Sequence, residues 1–376
     1  MRFLHTADWH IGKKLHGYDL LTEQRDAYEQ IKAIAIDEKV DAVVIAGDLY
    51  DRALPSEDAV STLDTMLVDL NRKQHLPLLA ISGNHDSAVR LSQGSEWFSS
   101  TDFYLKTRIA DSIKPVVLGD AQFFLLPYFE PFAVRQYFED DSIKTVSAGM
   151  ERLVTAMQEQ FAPDKKHVLI AHFFAAGSQH SDSETLVQVG GLNAVPVDLL
   201  APFDYVALGH LHRKEALQNE PVIKYSGSPL KFSTSEAEDT KGVWIVDTDQ
   251  TPVSVTFKPL KPLNDLIVLT DSFDHLMDPE VSYPVKTDDF IAIELTDTTP
   301  IANVMQRLKT RFPRIIELQR VNQLDVTPET LNIEEVQRDP LTLLDDFFKT
   351  VTEHPLTTQQ EDWAKQTLQQ AMKEED

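Results

Sequence analysis

Five short apolar runs in this chain each end on a residue of the kind that binds metals. That recurrence constrains the fold more than any other feature. Phe3-Leu4-His5-Thr6-Ala7 leads into Asp8-Trp9-His10, and Val43-Val44-Ile45-Ala46-Gly47 into Asp48. Leu79-Ala80-Ile81-Ser82-Gly83 leads into Asn84-His85-Asp86, Val168-Leu169-Ile170-Ala171 into His172, and Val206-Ala207-Leu208-Gly209 into His210-Leu211-His212. Short continuous apolar runs bounded by turn residues read as buried strands, predicted at 2–6, 42–46, 78–82, 168–171 and 205–208. Polar stretches between them carry helical spacing. One runs over 20–38, with Ala27, Ile31, Ile34 and Ala35 on one face, and another over 56–71, opening at Ser56. Residues 102–131 read as short strands and turns, and 147–161 as a further helix. The alternation predicts an α/β layered fold. In open α/β sheets, sites form beyond the carboxyl ends of the strands, so five strands that deliver ligands at that end converge on one place.

Taken singly, each group has an ordinary explanation. An acid after a glycine is commonly a turn residue or helix cap, Asn-His-Asp after Gly83 suits a tight turn, and a lone histidine such as His172 suits a hydrogen-bonded core position. Five independent placements at strand ends make coincidence a poor account of all of them. Asp8, His10, Asp48, Asn84, His172, His210 and His212 offer nitrogen and oxygen donors suited to manganese, iron or zinc. Seven groups are too many for one catalytic ion with an open position and suit two if one carboxylate bridges. The chain has no cysteine, which excludes thiolate metal sites, a disulfide framework and a cysteine nucleophile. The remaining histidines (His5, His16, His75, His167, His180, His275, His354) read as structural, with His16 and His180 candidates for lining the cleft.

Near residue 262 the texture changes. Pro259 and Pro262 precede predicted strands at 266–270, 290–295 and 315–318 and a helix at 301–311, a small α+β module. Two C-terminal helices follow. The first has an apolar stripe of Leu343, Leu344, Phe347, Phe348 and Val351, and the second is opened by Thr358 and Glu361 as a capping box. The expected division is 1–262, a catalytic domain; 263–330, a capping domain; and 331–376, a helical partner-binding segment. The net charge of −25 repels phosphate backbones at long range, and no basic stripe is visible. No apolar run reaches the length of a bilayer span and the N-terminus lacks a signal-peptide pattern, so a cytoplasmic enzyme is expected.

In this order, D-x-H, G-D-x-x-D-R, G-N-H-D, a lone histidine after a strand, and G-H-x-H resemble the calcineurin-like metallophosphoesterase superfamily. Met1-Arg2-Phe3-Leu4-His5-Thr6-Ala7-Asp8-Trp9-His10-Ile11-Gly12, the run 203–212 and the string Tyr225–Ala237 narrow the resemblance to the SbcD family of bacterial subunits among the double-strand-break repair nucleases. The resemblance is dense over the catalytic domain and extends to the C-terminal third by layout only. It implies a four-layer α-β-β-α sandwich with the capping domain and C-terminal helices appended. It further implies two divalent ions, most readily Mn2+: Asp8, His10 and His212 on one, Asn84, His172 and His210 on the other, and Asp48 between. Two such ions clamp a phosphodiester and activate water for in-line attack. His85 is then expected to stabilise the transition state or protonate the leaving oxygen, with Asp51 accepting a hydrogen bond from it. Lys13, Lys14, Arg52 and Arg90 are candidate phosphate contacts.

The family implies an SbcC-type ATPase partner with a long coiled coil, a homodimer, and DNA as substrate. Exonuclease action on duplex ends and endonuclease action on single strands or hairpins would serve repair, recombination and replication. The 86–100 and 173–190 loops are candidates for DNA contact, and the C-terminal helices for docking the ATPase. The alternatives are a small-substrate phosphodiesterase or phosphatase on the same fold, and a non-enzymatic scaffold with a vestigial site.

Overall fold

The computed structural model describes residues 1–178, 194–321, 348–349, 356–360 and 363–365. Met1–Val321 form one compact unit and Asn322–Asp376 a second.

The five apolar runs are strands. Two sheets carry them. The first contains β1 (Arg2–Thr6), β4 (Ala42–Ile45), β5 (Leu78–Ile81), β6 (Phe103–Lys106), β12 (Gly242–Asp247) and β13 (Ser254–Pro259), in the order β13-β12-β1-β4-β5-β6. The second contains β7 (Val116–Leu118), β8 (Ala121–Leu126), β9 (Lys166–His172), β10 (Tyr205–Gly209) and β11 (Ile223–Tyr225), in the order β11-β10-β9-β8-β7. The strands that end at the site are parallel within each sheet, while β12, β13 and β7 run antiparallel to their neighbours.

Both faces of each sheet are covered, which is why these strands read as continuous apolar runs and not as alternating ones. Phe3, Val44, Leu79 and Ile81 face Phe123, Leu125, Ile170 and Tyr205 between the sheets. The alternate residues Leu4, Val43, Ile45 and Leu78 pack against Tyr28 and Ile31 of α1 (Leu21–Asp37) and Leu63 and Met66 of α2 (Glu57–Val68). Ser56 caps α2, its hydroxyl accepting from the Ala59 N–H. Two short helices, α3 (Ala88–Leu91) and α4 (Ser95–Phe98), follow β5. On the far side, Phe124, Leu169 and Leu208 pack with Val134 of α5 (Pro131–Phe138) and Met150, Leu153 and Met157 of α6 (Val146–Gln158). The result is the four-layer α-β-β-α arrangement.

A hairpin of β2 (Lys14–Leu15) and β3 (Tyr18–Asp19) leads into α1. The C-terminal module of this unit is a three-stranded parallel sheet, β14 (Leu266–Asp271), β15 (Phe290–Leu295) and β16 (Ile315–Arg320), with crossovers through α7 (Phe273–Met277) and α8 (Val304–Leu308). The helix expected over 301–311 is confined to α8, because Asn303 adopts a left-handed φ of 53° just before it. One face of this sheet buries Leu266, Phe290, Ala292 and Ile316 against Leu15, Leu20, Ala27 and Phe232.

In the second unit the capping box falls one residue earlier than expected. The Thr357 hydroxyl accepts from the Gln360 N–H, and the Gln360 side chain accepts in return from the Thr357 N–H. Most of the stripe Leu343–Val351 lies outside the described residues. Among those that are described, no helix is long and apolar enough to cross a membrane.

Candidate metal centre

Each ligand candidate sits where a strand has just ended and the chain must turn sharply. Asp8, His10, Asp48 and His210 all take positive φ, at 53°, 44°, 50° and 98°. Such conformations are costly for residues with a Cβ and persist only when the surroundings over-determine them. Here the turns are laced to each other. The N–H groups of Asp8, His10 and Ile11 donate to the carbonyls of Gly47, Asp48 and Leu49 at 3.1, 3.0 and 2.9 Å. The two sheets meet closely at this end. His172 Nδ1 lies 2.9 Å from the Ala46 carbonyl, an approach possible only because Gly47 and Gly209 have no side chain. A Cβ on Gly209 would stand 2.0 Å from that carbonyl, and one on Gly47 2.4 Å from His172 Nδ1.

The structure brings all seven predicted ligands together. Asp8, Asp48, His10, His172, His210 and His212 are buried, and Asn84 is half-buried. On one side, His10 Nε2 and His212 Nε2 are 3.1 Å apart, and one atom each from Asp8, His10 and His212 falls within 4.8 Å of the others. On the other, Asn84 Oδ1 lies 2.9 Å from His172 Nε2 and 3.0 Å from His210 Nδ1. Asp48 stands between. Its Oδ1 accepts from the His85 N–H at 2.9 Å, while Oδ2 faces His172 Nε2 at 3.3 Å and His10 Nε2 at 3.6 Å.

These residues fit a divalent cation. Octahedral coordination at ~2.1 Å places neighbouring donors ~3 Å apart, the range of the shortest contacts seen. Electrostatics point the same way. Burial alone would lower the His172 pKa, but the Asp48 and Asp8 carboxylates outweigh it and leave His172 raised. Burial, with His172 beside it, holds His210 well below the usual imidazole range, and burial raises Asp8 against the pull of His172 and His212. A buried set of acids and imidazoles pushed this far apart is one that a cation would organise in place of protons. Among the described residues, the metal-type clusters all fall at this centre: Asp8–His10–His212, Asp8–Asp48–His172 and His10–Asp51–His85.

His85 borders the ligands, its ring edge-on to His10 at 4.7 Å between centroids. Its contact with Asp51 runs through the main chain. His85 Nδ1 is 2.9 Å from the backbone carbonyl of Asp51, whereas the Asp51 carboxylate pairs with Lys13 Nζ at 2.9 Å and lies 3.9 Å from His10 Nδ1. A turn that packs residue 51 over His85 presents whichever acceptor is nearer, and here that is the main chain. Lys13 is thereby engaged, with its ammonium also 5.1 Å from the centre of the Phe232 ring. Lys14, Arg52 and Arg90 are exposed, Arg52 lying 3.4 Å from the Asp51 carboxylate. His16 is exposed, and His180 and most of the 173–190 loop lie outside the described residues. His5 is buried between the sheets with Nδ1 3.0 Å from the Tyr205 hydroxyl.

Three supporting residues went unassigned from sequence. Gln24 on α1 donates to the carbonyls of Trp9 and His10 and accepts from the Gly12 N–H, fixing the turn that carries His10. Asp86 accepts from the N–H groups of Leu49, Tyr50 and Gly83, tying the Asp48 turn to the Asn84 turn. Glu236 is buried beside His212. Asp86 was visible as the last letter of G-N-H-D and Glu236 within the 225–237 string. Gln24 carried no signal beyond being polar on an otherwise apolar helix face.

Comparison with known proteins places these features in context. Residues 1–214 match the family model for calcineurin-like phosphoesterases, and residues 262–352 match that for the type 5 capsule protein repressor C-terminal domain. The chain is 34% identical over 369 residues to the D subunit of nuclease SbcCD from Staphylococcus epidermidis, an alignment covering 98% of both proteins. A similar solved structure is the crystal structure of TT1561 of Thermus thermophilus. It matches with a TM-score of 0.40 and 12% identity over 68% of this chain and 98% of that one, an overlap too loose to carry an argument.

Proposed function

We infer the work of this chain from its membership: it belongs to the calcineurin-like phosphoesterase family and, within it, to the SbcD family of nuclease subunits. It is a metal-dependent nuclease subunit that hydrolyses phosphodiester bonds of DNA. The observation that carries this reading is the convergence of seven metal-type side chains from five strand ends around Asp48, with His85 at their border.

The distances are compatible with the assignment that the resemblance implies. Asp8, His10 and His212 would hold one divalent ion and Asn84, His172 and His210 the other, with Asp48 between the two groups; Mn2+ suits this mixed nitrogen and oxygen set. When bound, the ions supply positive charge against the phosphoryl oxygens and make water a nucleophile near neutral pH. The chain's own residues do the rest. The laced turns at 8–11 and 47–50 fix the ligands before substrate arrives. The Asp51 carbonyl, 2.9 Å from His85 Nδ1, orients the ring so that Nε2 is the nitrogen that serves the leaving oxygen as proton donor. Lys14, Arg52 and Arg90 are exposed where phosphates along the strand can meet them, and Lys13 shares its charge with Asp51.

With a net charge of −25, the chain gains little from long-range attraction to DNA. An SbcC-type ATPase supplying basic surface and gating access accounts for this, docked through the segment 331–376, whose sequence is expected to form helices. The division into 1–262, 263–330 and 331–376 belongs to the same reading. So do a cytoplasmic location and a homodimer, the latter supported by exposed Leu54, Val60, Val89 and Trp97 on the elements that follow β4 and β5. Exonuclease action on duplex ends and endonuclease action on single strands and hairpins, in repair, recombination and replication, complete it.

The test is a cleavage assay on the purified protein with Mn2+. Linear duplex and single-stranded circular DNA would be compared with a small chromogenic phosphodiester, with and without the ATPase partner and ATP. DNA cleavage that His85→Ala abolishes and the partner enhances is the expected result. Turnover of the small ester with DNA untouched in every mixture would move the function to a small-substrate phosphodiesterase.

A further inference from the structure

His212 presents Nε2 to His10, so its Nδ1 points the other way, and what it meets there is a buried ion pair. Glu236 Oε1 lies 3.7 Å from His212 Nδ1, and Glu236 Oε2 takes the Lys241 ammonium at 2.5 Å. The same ammonium donates to the His212 backbone carbonyl at 2.8 Å, and the Ser233 hydroxyl donates to Glu236 Oε1 at 3.0 Å. Glu236 is fully buried and Lys241 is 8% exposed. Burying an ammonium and a carboxylate together is a poor way to gain stability, because desolvation offsets their attraction. A pair whose carboxylate stands 3.7 Å from one histidine's ring nitrogen and whose ammonium donates to that histidine's main chain is better explained by what it does to that histidine. Metal-binding imidazoles elsewhere commonly have the second ring nitrogen oriented by a carboxylate, which fixes the tautomer and raises basicity.

We propose that Glu236 and Lys241 are positioning residues for His212: Glu236 orients the ring through Nδ1 so that Nε2 faces the metal centre, and Lys241 locks both Glu236 and the His212 carbonyl in place. This rests on the metal-centre reading above and adds to it the part of the chain outside the five strand-end motifs. Glu236 lies on the turn Thr234–Glu236 and Lys241 immediately precedes β12, which pairs with β1, so the support is anchored in the first sheet while His212 follows the second.

The experiment titrates Mn2+ into metal-free full-length protein by calorimetry and records melting in chelator. The variants are Glu236→Gln, Glu236→Gln/Lys241→Met and, as control, Asp48→Asn. The expected result is that both Glu236 variants weaken one Mn2+ binding event by about 10–100-fold. The charge-neutral double variant should also melt, without metal, close to the wild type. A lower metal-free melting temperature with Mn2+ affinity within about twofold of wild type in both variants, while Asp48→Asn loses binding, would overturn the proposal and leave the pair a stability element. Wild-type Mn2+ binding by Asp48→Asn would overturn the metal-centre reading itself, and the proposal with it.

Discussion

His85 Nδ1 lies 2.9 Å from the carbonyl of Asp51, while the Asp51 carboxylate pairs with Lys13, and this separates two substitutions that the motif alone would treat alike. His85→Ala removes a proton donor and is expected to lower kcat about 10²–10⁴-fold with Mn2+ binding retained. Asp51→Asn keeps the carbonyl that orients His85 and removes a carboxylate whose shortest contact is with Lys13, so a loss under about tenfold is expected. Steady-state cleavage kinetics on a single-stranded substrate check both, and equal losses would show that the carboxylate acts directly. The same contrast marks how far single residues could be read from the sequence. The cluster of candidate ligands was legible because a metal needs side chains of particular types and strand ends put them in one place. Gln24, Asp86 and Glu236 act on backbone groups or through another side chain, and their partners lie in turns whose course no local pattern encodes.

At the level of elements, the strands most legible were those buried on both faces, since continuous apolar runs such as 42–45 and 78–81 leave few alternatives. The antiparallel strands β12 and β13 were not read, although β12 carries Gly242-Val243-Trp244-Ile245-Val246. They bring no ligand to the site, and β13, at the sheet edge, is only half-covered. The helix α5 was hidden by its shortness and its lack of a one-sided burial pattern: it spans Pro131–Phe138 and buries Val134 alone.

One contact between elements carries a pH dependence. Asp69, just after α2, accepts from Lys32 and from the Tyr28 hydroxyl of α1, each at 2.8 Å. The hydrogen bond from Lys32 foremost, and then that from Tyr28, hold its pKa down to about 2 against the opposing effect of burial. An unfolded aspartate titrates near ~3.9, so this contact contributes its full stability above that pH and loses it as pH falls through about 2. Asp69→Asn should therefore be less stable than wild type at neutral pH, with the gap closing toward pH 2. Urea unfolding at a series of pH values measures it, and a gap independent of pH would refute the assignment.

For the molecule as a whole, seven candidate ligands spread from residue 8 to residue 212 make the proposed metal centre a property of the folded state only. Ions that bind the native chain and not the unfolded one stabilise it by about 2.7 kcal/mol at a free concentration one hundred times Kd. Melting temperature is accordingly expected to rise with Mn2+ and fall in chelator, and Asp48→Asn should flatten that response in scanning calorimetry.

The place of β1 has a consequence in time. Strand β1 is made long before one of its neighbours: it sits inside the first sheet, between β4 and β12, and β12 is residues 242–247. At ordinary translation rates one edge of β1 goes without its partner for roughly 10–50 s after it is made. Through that interval an apolar strand with open hydrogen-bonding groups is a template for pairing with other nascent chains. A chain halted anywhere before residue 242 keeps that edge for good, so partial products of this gene should be far more prone to aggregate than their share of the sequence suggests.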